Sequence, residues 1–383
     1  MTEATYNEII TWLRGVIDGT QWEGNVFTVG GCCRDSLMHR DIHDIDLAVT
    51  VPDGGVRFAE WLEEKGLTVE PPVLFKKYST SRLRLKQYPD LEIEVVQTRK
   101  EKYTDRTTRN PEIAFGTIEE DCVRRDLTIN SLYQNVTTGE LLDITGHAIE
   151  DIRECRLRTP LPADTIFDDD PLRILRTIRF ASRFGWKIPK PIYDAMVRNV
   201  QRLSIIRMER MAAEFERIIS GPSAAQSLRM LRRIKALNMI IPELCRTFRI
   251  QLADGSGRTL WDKMLEDVEN APAEAPARYA ALLQDITRIR KEESSDSLPR
   301  RGRGRSGMIE RILNRLRYKS TFIRSVKRHL PPAAECQPLS PEERREKNRR
   351  KRQRQRHNRA NRRAAGKGKS GKQDSGDDHG DEA

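Results

Sequence analysis

"VGGCCRDSLMHRDIHDIDLAV", residues 29–49, decides how the rest of the chain is read. It closes a short β-rich run, "NVFTVGG", on two glycines, then places an Arg-Asp pair ahead of two aspartates one residue apart. "RDSLMH" is text that can begin a helix, and "DIDLAV" alternates as a strand does. Side chains at i and i+2 of a strand share a face, so Asp44 and Asp46 are expected side by side. Neighbouring carboxylates repel unless a cation lies between them. Such oxygen ligands suit Mg2+, which takes a few carboxylates and completes its shell with substrate phosphates. Two-ion phosphoryl-transfer sites, with ions roughly 3.5–4 Å apart, need bridging carboxylates of this kind. Gly30 and Gly31 permit close backbone approach, and amides at a following helix start can cradle a triphosphate. Arg34 would neutralise phosphate charge and Asp35 would cap or orient it.

At this spacing the elements together resemble the nucleotidyltransferase signature of the DNA polymerase β superfamily. The resemblance implies that the glycines hold phosphates. It also implies that Asp44 and Asp46 hold the metals that activate a 3′-hydroxyl and stabilise the leaving pyrophosphate. A third carboxylate is then expected on a neighbouring strand. "LEIEVVQTR" offers Glu92 and Glu94, and Glu94 is favoured because it precedes Val95-Val96 as the family's strand does.

Working outward, residues 5–18 carry the spacing of an amphipathic helix, and "GVRFAEWLEEKG" reads as another. "LRLKQY" and "LEIEVVQT" are further strand candidates. From Asp170 on, helical text dominates: "DPLRILRTIRFASRFG", "PIYDAMVRNVQRL", "MERMAAEFERIISG" with Gly221 as a cap, and one helix near 307–328. The expected fold class is therefore α+β. A nucleotidyltransferase head with a mixed β-sheet and helices (1–145) leads into an all-α neck (146–222) and an all-α body (223–330). A disordered basic tail (331–383) follows.

Further motifs lie in "EEDCVRRDLTINSL" (119–132) and "DDDPLRILRTIRFASRF" (168–184). In the first, Arg125 could meet phosphate and Asp126 a ribose hydroxyl, with Asn130 beside them. In the second, Asp170 and Arg173 are three apart, expected on one helix face, and Arg176, Arg179 and Arg183 extend a basic stripe. Together these stretches look like class II tRNA nucleotidyltransferases, the CCA-adding enzymes, and the related bacterial-type poly(A) polymerases, over roughly residues 25–220. The resemblance implies that Asp170 and Arg173 read the Watson–Crick edge of CTP or ATP. Arg offers only donors and ionised Asp only acceptors, so the pair can imitate a complementary base. Asp169 stands where the family often has Glu. The resemblance also places a flexible loop at 102–117, with Asp105, Arg106 and Arg109 as the switch that admits ATP after CTP.

Composition bounds the rest. The net charge is +12, yet Arg344–Lys372 alone carry fifteen Lys or Arg against Glu346, so the remainder of the chain is near neutral. Such a run cannot bury an apolar core. It reads as an RNA-binding arm, with Arg349, Arg350, Lys351 and Arg352 at its centre, or as a solubilising tail. Six cysteines without a CxxC pair argue against a disulfide framework or zinc site. The acid-bearing N-terminus reads as a helix of the fold, not a leader, and no apolar run reaches a membrane span. A cytoplasmic location is expected. Residues 258–329 resemble the HD metal domain of bacterial relatives in decayed form, with Asp262, Lys263, Gln284 and Asp285 where histidines would stand, and no hydrolase activity is expected there. The expected activity is CCA addition to tRNA 3′ ends from CTP and ATP with Mg2+, without membrane or DNA partners. Alternatives are poly(A) addition to other RNA 3′ ends, an A-only or CC-only tRNA enzyme, or a catalytically silent RNA-binding protein.

Overall fold

Period-two alternation in the strands around Asp46 separates the two faces of one sheet. The computed structural model describes residues 1–103, 111–252, 254–286 and 305–331. Its strands are β1 (Val26–Val29), β2 (Ile45–Val49), β3 (Val73–Phe75), β4 (Thr80–Leu85), β5 (Tyr88–Gln97), β6 (Arg99–Lys102), β7 (Glu112–Phe115), β8 (Leu132–Asn135) and β9 (Leu141–Asp143). Seven form a sheet in the order β3-β4-β5-β2-β1-β8-β9, while β6 and β7 make a separate hairpin. Every pairing is antiparallel except β2 with β5, so the sheet is mixed as expected.

Ile45, Leu47 and Val49 of β2, Leu83 and Leu85 of β4, and Ile93 and Val95 of β5 point into the main core. This core also takes the apolar sides of α1 (Glu3–Ile17) and, past α2 (Gly31–Leu37), of α3 (Gly54–Glu64). Thr2 starts α1 by accepting from the Thr5 amide, and Tyr6, Ile9, Ile10, Leu13 and Ile17 supply its buried stripe. At the start of α3 only glycine fits, because a Cβ on Gly55 would lie 2.0 Å from the Ser79 carbonyl oxygen. The opposite sheet face carries Phe27, Val29, Ala48 and Tyr133, covered by Cys122 of α4 (Ile118–Val123). Beyond that cover, this same face carries Asp46 and Glu94.

Helices make up the rest of the unit Met1–Leu330: α5 (Ala148–Arg153), α6 (Ala163–Asp169), α7 (Leu172–Phe184), α8 (Lys190–Asn199), α9 (Met208–Ile219), α10 (Ala224–Arg233), α11 (Leu237–Ile240), α12 (Leu260–Asn270), α13 (Ala275–Leu283), α14 (Arg305–Arg315) and α15 (Ser320–Arg328). α7 packs on α9 and α10, and α12 on α13. Gly185 ends α7 in the left-handed region (φ 73°), and the Trp186 amide returns to Ala181 O at 3.0 Å.

Three local expectations change. The helix expected near 307–328 is two helices, because Arg317 turns left-handed (φ 64°) and Tyr318 is anchored by Tyr279 and by the Ala212 carbonyl. α9 ends on Ser220 in a helical conformation, so Gly221 is not a left-handed cap. α2 begins at Gly31, three residues before the expected start at Arg34. Among the described residues no helix is long and apolar enough to cross a membrane.

Candidate active site

The parallel pairing of β2 with β5 sets Asp46 directly opposite Glu94. Neighbouring strands lie about 4.8 Å apart and opposed residues share a face, so the two carboxylates are held side by side. Asp44 immediately precedes β2 and is exposed. Glu94, and not Glu92, is thus the carboxylate level with Asp46. Burial, followed by the charges of Glu94 and Asp44, pushes Asp46 up to about 6, against the pull of Arg125 and Arg176. Among the described residues no side-chain hydrogen bond or ion pair reaches the carboxylates of Asp44 and Asp46. A site of this kind, hard oxygens under mutual repulsion, fits a divalent cation. Among the described residues no cluster of three or more His, Cys, Asp or Glu is close enough to grip an ion unaided. Substrate phosphate and water would complete the shell.

Gly30 opens α2 beside this pair with φ 77°, a conformation open to glycine. A Cβ there would meet the Arg125 guanidinium at 3.3 Å. Gly31 is the first residue of α2. Arg34 lies deeper than its expected phosphate role requires, at 2 % exposure. It donates to Asp35 at 2.8 Å and to the Asn130 side chain, and its guanidinium stands 5.2 Å from the ring centres of both Phe180 and Phe184. Asn130 in turn donates to Asp126 at 2.9 Å.

Two buried carboxylates organise the arginines. Asp121 accepts from Arg124, from Arg125 (2.9 Å) and from the Tyr133 hydroxyl (2.5 Å). Asp126 accepts from Arg176 (2.6 Å), Asn130 and the Leu127 amide. Burial alone would raise both. The Arg125 and Arg124 guanidiniums at Asp121, and Arg176 with the Asn130 amide at Asp126, overcome it and hold both well below the usual carboxylate range. Depressed carboxylates contribute stability above the unfolded-chain value, about 4, and lose it as pH falls toward the folded value. The urea midpoint is therefore expected to fall steeply from pH 4.5 to pH 3. Asp126→Asn should flatten that slope.

Helix α7 contributes an arginine ladder. Arg173 donates to the carbonyls of Ile166 (3.1 Å) and Arg124, Arg176 to Asp126, Arg179 to Glu214 (2.8 Å) and Arg183 to Asp35 (2.9 Å). The expected shared helix face of Asp170 and Arg173 is corrected. Asp170 is extended (φ −135°), one residue before the Pro171 cap of α7, and accepts from the Leu172 amide. Both side chains are nevertheless buried at the same α6–α7 junction. Asp169 ends α6, and burial, only partly offset by Arg173, raises its pKa. Arg179 pairs with Glu214 of α9 and stands over the Phe180 ring. Asp105, Arg106, Arg109, Arg349, Arg350, Lys351 and Arg352 lie outside the described residues.

Sequence reasoning missed Asp121, Tyr133 and Glu214. Asp121 was findable, lying in the last turn of α4 three and four residues before Arg124 and Arg125, a spacing that brings side chains together. Glu214 interrupts the otherwise apolar buried stripe of Met211, Phe215 and Ile218, which marks an acid with a partner. On α12, Lys263 lies 2.5 Å from Asp267 and 2.9 Å from Asp285, so a cationic side chain stands between these acids.

A nucleotidyltransferase fold is defined by this sheet, with its glycine-opened helix and in-register carboxylates. Residues 26–158 match the profile of the Poly A polymerase head domain, and residues 185–247 match that of the "Probable RNA and SrmB-binding site of polymerase A". Residues 26–158 thus carry a head domain of the poly A polymerase type, and the relatives most similar in sequence include CCA tRNA nucleotidyltransferases. It is 38% identical over 229 residues to the mitochondrial CCA tRNA nucleotidyltransferase of Saccharomyces cerevisiae, covering 55% of this chain and 41% of that one. Against the CCA-adding enzyme of Bacillus pumilus it is 30% identical over 237 residues, covering 60% and 56%. The chain thus spans about two fifths to just over half of these relatives' length. A solved structure of the Bacillus stearothermophilus CCA-adding enzyme with CTP shares the fold at a TM-score of 0.56 and 23% identity, covering 79% of this chain and 64% of that one. The Thermotoga maritima CCA-adding enzyme complexed with tRNA(CCA) does so at 0.56 and 22%, covering 84% and 68%.

Proposed function

We propose that this chain is a template-independent RNA nucleotidyltransferase that adds C, C and A to tRNA 3′ ends from CTP and ATP, with release of pyrophosphate. The register that places Asp46 against Glu94, beside Asp44 and the glycine start of α2, carries the reading. The names of the relatives supply the substrate class. Members of this family generally work with divalent metal ions, and the hard oxygen set supports Mg2+ as the ion in this reading. Asp44 and Asp46 would hold it, with Glu94 beside them as the third catalytic carboxylate, and the bound ion would supply positive charge where the attacking and leaving oxygens carry negative charge.

The chain's own residues do the rest. Gly30 and Gly31 let triphosphate approach the backbone. Arg125, fixed by Asp121, lies beside Gly30, where phosphate would pass. Asp126 has an oxygen lone pair beyond its three observed donors, enough for one ribose hydroxyl. Arg173 keeps three guanidinium N–H groups beyond its two carbonyl contacts, and with Asp170 it would read the base edge. Arg34, Asn130, Arg176 and Arg179 position these groups, and Asp169 borders them. Residues 1–145 would then be the catalytic head, 146–222 the base and RNA neck, 223–330 the tRNA-supporting body, and 331–383 an RNA-binding arm. We place the protein in the cytoplasm. Two yeast relatives carry "mitochondrial" in their names, and imaging of a tagged full chain separates the two locations.

The test is incorporation on tRNA transcripts ending before CCA, after C and after CC, with CTP and ATP supplied singly and together. Ordered addition that stops after CCA is expected. The names of the two matched profiles favour poly(A) addition as the second reading. Long A tracts on any RNA, with CTP ignored, would establish it. Removing residues 344–383 is expected to weaken tRNA binding and reduce the slope of log K against log salt, with turnover at saturating tRNA within about twofold of the full chain. An unchanged salt slope would reduce the tail to a solubility device.

A further inference from the structure

The open face of the sheet continues past the carboxylates to its edge. Across the strands, Asp46 opposes Glu94, Glu94 opposes Arg82, and Arg82 opposes Val73 of the edge strand β3. Opposed residues share a face, so Val73 and Phe75, two residues on, stand on the same face as Asp46. They lie three strands away, on the order of 14 Å. Both are exposed, Val73 at 58% and Phe75 at 42%, and Tyr78 follows at 45%. Half of the large hydrophobic side chains that the described residues expose fall between Val69 and Tyr78. An exposed apolar edge strand invites aggregation, and its retention calls for an occupant.

Charge and continuity with the site identify that occupant. Lys76 and Lys77 are exposed between the two aromatic rings, and Lys77 reaches the Tyr78 ring at 5.8 Å. Arg82 stands 5.9 Å from the Phe75 ring and 3.7 Å from Glu94, joining the patch to the carboxylates. Aromatic rings interleaved with cations are how single-stranded nucleic acid is held, bases on the rings and phosphates on the charges. We infer that Phe75 and Tyr78, with Lys76 and Lys77, form a stacking platform for the unpaired RNA nucleotides just upstream of the reacting 3′-hydroxyl. The inference rests on the nucleotidyltransferase reading above and adds to it a surface for the growing strand, distinct from the pocket for the incoming nucleotide. The platform reads no base edge, so it accepts C and A alike.

The test uses the full chain and a tRNA transcript lacking CCA. Phe75→Ala with Tyr78→Ala should raise KM for tRNA about tenfold or more, while KM for CTP and turnover at saturating tRNA stay within twofold. Phe75→Trp with Tyr78→Trp should restore KM. A 4-thiouridine placed one or two nucleotides before the 3′ end should photocrosslink within residues 73–78. Unchanged KM for tRNA in an active alanine variant, with crosslinks elsewhere, overturns the platform. Sedimentation gives the other overturning result: a wild-type dimer that the alanine variant turns into monomers, with KM for tRNA unaffected, makes the edge an interface between copies. A wild-type chain that transfers no nucleotide to any RNA instead defeats the underlying functional reading, which separates the two failures.

Discussion

Replacing Asp46 with asparagine is expected to cut nucleotide incorporation by at least about 1000-fold and, in the same protein, to raise its stability. The first effect follows from the proposed chemistry. Removing a metal-holding carboxylate takes several kcal/mol from the transition state, and each 1.36 kcal/mol is about tenfold in rate. The second follows from the site's own repulsion. The folded chain holds Asp46 near 6, above its ordinary value, because it is buried and faces Glu94 and Asp44. Between about pH 4 and pH 6 the folded state binds the proton more tightly, so stability from this group falls as pH rises and is lowest above 6. Asparagine removes that cost. Asp46 is partly exposed, so the gain at pH 7.5 without divalent cations is set at about 1 kcal/mol, or roughly 2 °C in Tm. Excess Mg2+ should narrow the difference by stabilising only the wild type. A variant with full turnover would remove Asp46 from the metal site, and one less stable than wild type at pH 7.5 would remove the repulsion.

The largest structural effect is expected at Asp121→Ala. This carboxylate is fully buried and receives two guanidiniums and a phenol. Removing one partner of a buried charge pair typically costs about 3–5 kcal/mol, because the opposite charge is left without its counterpart. A drop of roughly 10 °C in Tm is expected, with Asp121→Asn intermediate because it keeps an acceptor. Incorporation should fall at temperatures where the variant is still folded, since Arg125 beside Gly30 would lose its anchor. Urea unfolding and incorporation on the same preparations check both. A cost below about 1 kcal/mol would place Asp121 among ordinary surface pairs.

Much of the site was legible because strand alternation and short spacings determine it. "DIDLAV" could only bury Ile45, Leu47 and Val49 by turning Asp46 to the other face, and "LEIEVV" obeys the same rule for Glu94. What no single strand encodes is register, and the choice of Glu94 over Glu92 became physical only when β2 and β5 were seen to pair in parallel. The Asp170–Arg173 geometry was missed for a related reason. A proline at 171 disfavours helix at the residue before it, so Asp170 is extended while Arg173 is helical. Arg34 read as a phosphate ligand because its partners, Asn130, Phe180 and Phe184, lie about a hundred residues or more away in sequence. The break at Arg317 was equally hidden, since Tyr279 anchors it from another helix.

The ladder of arginines on α7 bears on how such a protein can diverge. Under the proposed function Arg173 would read a base, yet the same guanidinium clasps the carbonyls of Ile166 and Arg124 and so ties α7 to α6 and to the residue that follows α4. A mutation that altered base preference at this position would also loosen the joint that presents it. Intermediates between two specificities would then be poor folders as well as poor discriminators, and natural drift at this residue is penalised twice. Lineages in which base preference has shifted are expected to have re-secured that joint first, through changes around Ile166 and Arg124, before Arg173 itself was replaced.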